Sequence, residues 1–248
     1  MKALILAAGY ATRLYPLTEN QPKPLLEVGK KAILAHLLDK LKEVKGLKEV
    51  FVVTNHRFYD RFRSWLVYYT APFKIKLIDD GTLSNEDRLG AIGDLNFVLK
   101  EEEINEDLMV IAGDNIFGFS LKEFTNFFKN KKKSIVAFRD LKDKEKIKGK
   151  LGAGILEGSQ VVDFEEKPLE PRSTLAATAC YIFSQEDLSL VEKALEQGKA
   201  DRPGDLVKFL LKSSEVHGFV TEEHWFDIGS FESLQEAENF YKNVGAHN

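Results

Sequence analysis

Apolar and polar positions alternate along this chain in blocks of two kinds. Short continuous apolar runs, KALILA at 2–7, EVFVVTN at 49–55 and DLMVIAGDN at 107–115, have the length and composition of strands buried on both faces. FKIKLID at 73–79 alternates as a further strand, and SIVAFR at 134–139 is another. Between them lie stretches of helical period. AILAHLLDKLKEV at 32–44 gathers Ile33, Leu34, Leu37, Leu38 and Leu41 on one face. RFYDRFRSWLVYY at 57–69, LGAIGDLNFVLKEEE at 89–103 and SLKEFTNFFKNK at 120–131 continue the pattern.

Strands separated by helices predict an α/β fold of Rossmann-like type, a mostly parallel central sheet flanked by helices with right-handed crossovers. Ligands on such sheets sit beyond the carboxyl ends of the strands. After about residue 140 the pattern changes. DLKDKEKIKGK at 140–150 is a charged run expected to be a solvated loop. Short strands follow at GAGILE (152–157), QVVDFEEK (160–167) and AATACYIF (176–183). Helices resume at SQEDLSLVEKALEQG (184–198) and PGDLVKFLLKS (203–213). EVHGFVT (215–221) is a late strand, and SFESLQEAENFY (230–241) is a closing helix with Ser230 as its N-cap. With no repeat and no low-complexity linker, the expectation is one domain over 1–248. Its first part runs to about 140, and the part from about 141 to 248 adds a small β-containing lobe.

Composition narrows the class. A chain of 248 residues, 44% hydrophobic and 30% charged, suits a single α/β domain with a large core. The net charge of −4 gives no overall basic field, so no nucleic-acid partner is expected, and phosphate binding requires a local cluster of cations. The single cysteine, Cys180, allows no internal disulfide and is consistent with a reducing compartment. It lies in AATACYIF and is expected to be a buried structural thiol. The start MKALILAAGY mimics a signal peptide, but its apolar part is short and runs into Arg13, as a strand would. No apolar run approaches the ~20 residues needed to span a membrane, so a cytoplasmic protein without a membrane partner is expected. His36, His56, His217, His224 and His247 show no metal-ligand spacing and are expected at the surface or in packing. The 18 phenylalanines are assigned mostly to the core.

The chemistry concentrates in the first segment, LAAGYATRLYPLTENQPKPLLEV. Gly9 follows a buried strand, where a glycine lets backbone approach a phosphate. The dinucleotide fingerprint needs three spaced glycines and fails here, and a Walker loop ending at Gly29-Lys30 would need glycine at Pro24. Taken singly, Gly9 is a turn residue and Arg13 a surface charge. Taken together with Thr12, Leu14, Pro16, Lys23, Pro24 and Leu25, the stretch resembles the signature of the sugar-phosphate nucleotidyltransferases. Ala8 and Ala11 stand where that family usually has glycine. VIAGDNIF (110–117) resembles the family's Gly-Asp-Asn at a strand end. DFEEKPLEP (163–171) resembles its Glu-Lys-Pro, and WFDIGSFESLQEAENF (225–240) its late Trp-x-Asp-x-Gly segment. The likeness is greatest to the glucose-1-phosphate thymidylyltransferases.

The resemblance implies a reaction and a site. A phosphate oxygen of a sugar 1-phosphate attacks the α-phosphorus of a nucleoside triphosphate, and pyrophosphate leaves. Both partners are anions, so catalysis is mostly positioning and charge neutralisation. The implied catalytic residues are Arg13, Lys23, Asp114 and Lys167. The nucleotide falls to Leu6, Ala8, Gly9, Thr12, Arg13, Lys23, Asn85 and Gly90 in the first part of the chain. The sugar phosphate falls to Asn115, Gly152, Glu166, Lys167 and Thr178, mainly in the later part. Asp114 and Asp227 are implied ligands of Mg²⁺, which needs only one or two carboxylates plus phosphates. In VVDFEEKP, alternation sets Glu166 opposite Glu165 and Lys167 unless the strand bends before Pro168. For the base, DDGTLSNEDRLGAIGD (79–94) carries Asn85 five residues before Gly90. A carboxamide there suits a pyrimidine, with dTTP or UTP first, although Asn85 as a turn residue with backbone groups reading the base is an equal alternative. A cytidylyltransferase acting on phosphocholine, and a catalytically silent nucleotide-sensing subunit, are the competing functions. Self-association into a homo-oligomer is left open. The family's larger thymidylyltransferases carry a further helical extension, so an end at Asn248 carries the expectation of no product regulation through one.

Overall fold

The structure, a computed structural model, describes residues 1–198 and 202–245. Its elements in chain order are β1 (Lys2–Leu6), β2 (Glu27–Val28), β3 (Lys31–Ala32), α1 (Ile33–Leu41), β4 (Glu49–Thr54), α2 (His56–Leu66) and β5 (Lys74–Asp79). There follow α3 (Ala91–Glu101), β6 (Leu108–Ala112), β7 (Asn115–Phe117), α4 (Leu121–Lys131), β8 (Ser134–Asp140), β9 (Ala153–Glu157) and β10 (Gln160–Glu165). The last are β11 (Leu175–Phe183), α5 (Gln185–Leu188), α6 (Val191–Glu196), α7 (Pro203–Leu210), β12 (Val216–Thr221), β13 (Trp225–Asp227) and α8 (Phe231–Gly245).

One sheet of nine strands runs through the molecule in the order β5-β4-β1-β6-β11-β8-β12-β10-β9. The neighbours from β5 to β6 are parallel, as the strand–helix alternation predicts. β11 enters antiparallel to both β6 and β8, β12 returns parallel to β8, and β10 and β9 pair antiparallel at the far edge. The later part of the chain thus extends the same sheet. The outer strand β5 points Lys74 and Lys76 outward, where they meet Glu49 and Glu102; such charges keep an edge from recruiting another strand.

Alternate residues of the central strands fill two apolar layers. Ala3, Ile5, Val50, Val52, Met109 and Ile111 face α1, α2 and α4. Leu4, Phe51, Val53, Leu108 and Val110 face α3, α6 and α7. A third, small cluster packs α8 against the β7–β13 ribbon through Ile116, Phe226, Ile228 and Ala237. Ser230 Oγ accepts from the Ser233 amide at 3.3 Å, as the expected cap of α8.

Two elements differ from expectation. The stretch 184–198 is two short helices, because Ser184 caps α5 through the Asp187 amide while buried Asp187 accepts from Ser134 Oγ at 2.5 Å, pinning the chain to the sheet before α6 begins. The charged run at 140–150 is largely exposed, but Ile147 is fully buried and anchors it.

Phe138 on β8 lies over glycines of other strands. A Cβ on Gly154 would sit 2.4 Å from its ring, and one on Gly218 3.0 Å away. Gly154→Ala is therefore expected to cost about 1–3 kcal/mol by overpacking. The penalty should shrink when Phe138→Leu frees the space, as a double-mutant cycle of urea unfolding would register.

Candidate functional site

The carboxyl ends of β1 and β6 open into a cleft of about 580 Å³. The two loops that leave these strands touch. Gly113 N–H donates to Leu6 O at 2.8 Å, and a Cβ on Gly113 would lie 2.8 Å from that oxygen and 3.3 Å from Pro24. Only glycine permits this approach. The first loop is held by its carbonyls: Asn55 Nδ2 donates to Ala8 O and Thr18 Oγ1 to Ala11 O, each at 2.8 Å. The amides of Ala8, Gly9, Tyr10 and Ala11 find no acceptor among the described residues. A run of free amides is an anion-binding concavity. Ala11 sits at φ 48°, the left-handed conformation that explains why glycine is common there, and a Cβ on Gly9 would meet nothing within 4 Å. The space above Gly9 therefore belongs to the cleft.

Charge follows the same plan. Arg13, Lys23, Arg88, Lys150, Lys167 and Arg202 line the cleft with Asp94, Asp114, Glu166 and Asp227, a positive surplus in a chain of net charge −4. Lys23 Nζ meets Asp114 Oδ2 at 2.6 Å. Burial alone would raise the Asp114 carboxyl, but the Lys23 ammonium and the Asn115 amide at 2.8 Å hold it below the usual range. The β7–β13 ribbon sets Asn115 opposite Asp227, so both carboxylates reach the cleft from one small platform. Asp227 projects into open solvent there, and the surrounding protein and the Asp114 charge push it up to about 6. Two hard-oxygen donors beside six cations suit a small divalent ion shared with phosphates. Among the described residues no group of three or more carboxylate, imidazole or thiol ligands gathers around a point.

At the other wall the strand does bend before Pro168. Lys167 takes φ 49°, so Glu166 and Lys167 both line the cleft, while Glu165 turns out to bind Arg172 Nε at 2.5 Å. Glu166 occupies the room that two glycines leave. A Cβ on Gly204 would lie 2.2 Å from its Oε2 and one on Gly152 3.2 Å. Burial raises the Glu166 carboxyl, and the charges of Lys167 and Arg202 pull it back.

Leu6, Ala8, Gly9, Thr12, Asn85, Gly90, Asn115 and Gly152 also line the cleft. Asn115, however, spends its amide on Asp114 and accepts from Trp225 Nε1 at 2.6 Å, so it positions its neighbours. Thr178 is a correction. Alternation along β11 turns Ala177, Ala179 and Tyr181 toward the cleft and Thr178 into the protein, on the face of Ala176 and Cys180, where it donates to Ala137 O at 2.9 Å. Sequence reasoning missed Lys150, Arg202 and Gly204. Pro203-Gly204 does mark a helix start, and the arginine before it was the available signal. Cys180 is fully buried, and His36, His56, His217 and His224 lie away from the cleft. His247 lies outside the described residues. No helix of the described residues is long and apolar enough to cross a membrane.

A family model described as nucleotidyl transferase matches residues 2–244. Over 243 residues the chain is 27% identical to the bifunctional protein GlmU of Methanocaldococcus jannaschii, covering 97% of this chain and 54% of that protein. This chain thus spans about half the length of the GlmU relatives it matches. It is 26% identical to the UTP–glucose-1-phosphate uridylyltransferase AglF of Haloferax volcanii, over 96% of this chain and 95% of that one. A crystal structure described as a glucose-1-phosphate thymidylyltransferase from Bacillus anthracis superposes with a TM-score of 0.81 at 25% identity, covering 98% and 95% of the two chains.

Trp225→Phe removes the donor to Asn115 Oδ1 and leaves that oxygen buried without its partner. The expected cost is about 1–3 kcal/mol, read as a lower urea midpoint with unchanged slope.

Proposed function

Because this chain belongs to the nucleotidyl transferase family, we propose that it moves a nucleoside monophosphate from a nucleoside triphosphate to a sugar 1-phosphate. The favoured pair is dTTP or UTP with glucose 1-phosphate or a close analogue. The observation that carries this reading is the convergence on one cleft of a loop of free amides, six cations and two carboxylates. The activities for which the Haloferax and Bacillus relatives are named support the acceptor class.

In the proposed reaction an oxygen of the sugar phosphate forms a bond to the α-phosphorus, and the bond from that phosphorus to pyrophosphate breaks. No covalent enzyme intermediate is needed. The amides after β1, with Arg13 and Lys23, take up the charge of the triphosphate and of the leaving pyrophosphate. Lys167 holds the acceptor phosphate, and Arg202 stands beside it as a second cation. Glu166 accepts from sugar hydroxyls, a role that its tight seat between Gly152 and Gly204 makes selective for shape. Asp114 and Asp227 would hold Mg²⁺, which supplies charge screening between the two anions when bound. Asn85 and the Gly90 backbone are assigned to the base. On this reading the nucleotide occupies the part to about residue 140, and the sugar phosphate the part from about 141, within one domain.

A matrix of nucleoside triphosphates against sugar 1-phosphates, read by pyrophosphate release, tests the activity. dTTP or UTP with glucose 1-phosphate should give the highest rate, and a clear preference for ATP or GTP would remove Asn85 from the site. Asp114→Asn and Asp227→Asn should each reduce turnover to background while circular dichroism shows an intact fold.

The division of labour predicts a split in kinetic constants. Arg13→Ala should lower kcat/KM by about 10²-fold, comparable with the loss of one preorganised donor. Lys167→Ala should chiefly raise KM for the sugar phosphate. A rise confined to the KM of the triphosphate would reverse the two sites.

A further inference from the structure

Two carboxyl groups beside the cleft have no place in the chemistry above. Asp80 follows β5 and is 8% exposed; Asp94 lies in the first turn of α3 and is 6% exposed. Between them in sequence runs the loop that carries Asn85 and Gly90. Asp80 Oδ1 accepts from both the amide and the hydroxyl of Thr82, each at 2.7 Å. Thr82 Oγ1 in turn meets the Tyr10 hydroxyl at 3.1 Å, and Tyr10 belongs to the loop of free amides. Asp80 Oδ2 and Asp94 Oδ1 are both buried, and no donor from any other group reaches them. The two carboxyls lie within reach of each other, so each can bond to the other. Two carboxylates can do so only through a proton, and two bare anions in this place would repel with no partner for either free oxygen.

We infer that Asp80 and Asp94 hold one proton between them, and that this bridge fixes the loop 81–90 against the first loop and so positions the nucleotide. Both are positioning residues, acting through the loop that carries Asn85 and Gly90. The inference rests on the nucleotide reading above for the word nucleotide alone; the bridge rests on the burial of the two carboxyls and on the unpaired oxygen that each carries. A shared proton makes a short, charge-assisted hydrogen bond, stronger than a neutral one. It joins the end of β5 to the start of α3, closing the loop at both ends, while His56 N–H ties down the loop's first residues through Thr82 O at 2.9 Å.

Burial, and then the Asp80 charge, push the Asp94 carboxyl up to about 8. The surroundings leave few rivals for this titration. Asp79 is bonded to His56 and Asp87 to the amides of Leu83 and Ser84. Tyr10 is itself raised by burial, with Arg57 acting on it, and Arg88 lines the cleft. From the helices against α3, Glu192 pairs with Lys100 on α3 itself, and Asp205 on α7 acts on Glu166. The folded chain keeps a proton that an unfolded aspartate loses near pH 4, so stability is fully present below that point. It falls as pH climbs to about 8 and levels off above.

The test has two arms. Infrared spectra of the whole protein should show a protonated carboxylic acid at pH 7 that is lost on titration through about 8 and absent in Asp94→Asn. Calorimetric binding of magnesium–dTTP and magnesium–UTP should weaken about tenfold from pH 7 to pH 9 in the wild type, the fraction of bridged protein falling by that factor. Asp94→Asn keeps a donor toward Asp80 and has no proton to lose, so its affinity should be flat over that range, as should that of Asp80→Asn. Glucose 1-phosphate binding should follow the same course in all three. An absent carboxylic-acid band with normal triphosphate binding overturns this inference alone. So does an equal pH dependence in wild type and Asp94→Asn. A band that behaves as described in a protein that binds none of the four common triphosphates overturns the proposed function and the positioning role with it.

Discussion

The ion pair between Lys23 and Asp114 is the contact on which the site's geometry turns. It spans 91 positions of sequence and joins the segment after β1 to the carboxyl end of β6. From Asp114 the chain of contacts continues through Asn115 to Trp225, and through the β7–β13 ribbon to α8. Four distant stretches are thereby brought into register around one carboxylate. Both side chains are mostly buried in the cleft wall, so the attraction within the pair chiefly offsets the cost of taking its two charges out of water. Its effect is placement. It keeps a cation and an anion side by side in the cleft proposed to receive a divalent cation and phosphate groups, where each would find a new partner of opposite charge.

The amide loop and the glycine contact depend on the same closeness. Leu6, Ala7 and Pro24 crowd Gly113, so the turn after β6 can lie directly on the turn after β1. Were they farther apart, Lys23 could not span the gap, and the free amides would face bulk water. The negative chain with a positive cleft follows from this arrangement: cations are concentrated where backbone already offers donors, and the acidic residues are spread over the exterior.

Local pattern made much of this legible. Strands such as KALILA and DLMVIAG are apolar on both faces because helices cover both sides of the sheet, and their boundaries could be read from composition. The sheet order could not. Whether β11 pairs with β6 or with β8 depends on packing between residues far apart in sequence, and it lies between both. Most of the candidate site's lining was legible because its residues cluster in motifs that the fold brings to one cleft. AATACYIF is apolar on both faces and does not say which face meets the cleft; the odd-numbered residues do, and Thr178 lies on the other face. Arg202 and Lys150 were overlooked because each is a lone cation whose meaning comes only from the wall it stands on. The two acidic residues flanking the 81–90 loop look in sequence like ordinary turn and helix-start residues, and only their mutual burial distinguishes them.

The central place of β11 has a consequence for how the molecule comes into being. A ribosome delivers β6 and β8 well before residues 175–183, yet the finished sheet needs β11 between them. During synthesis the two earlier strands therefore each present an open edge of unpaired amides and carbonyls, apolar on both faces, with nothing of this chain yet made to cover it. The nascent protein passes through a stage in which its most buried strands are its stickiest. The antiparallel insertion of β11 closes the edges that β6 and β8 turn toward each other and joins the amino-terminal parallel half to β8, whose other edge stays open until β12 is made.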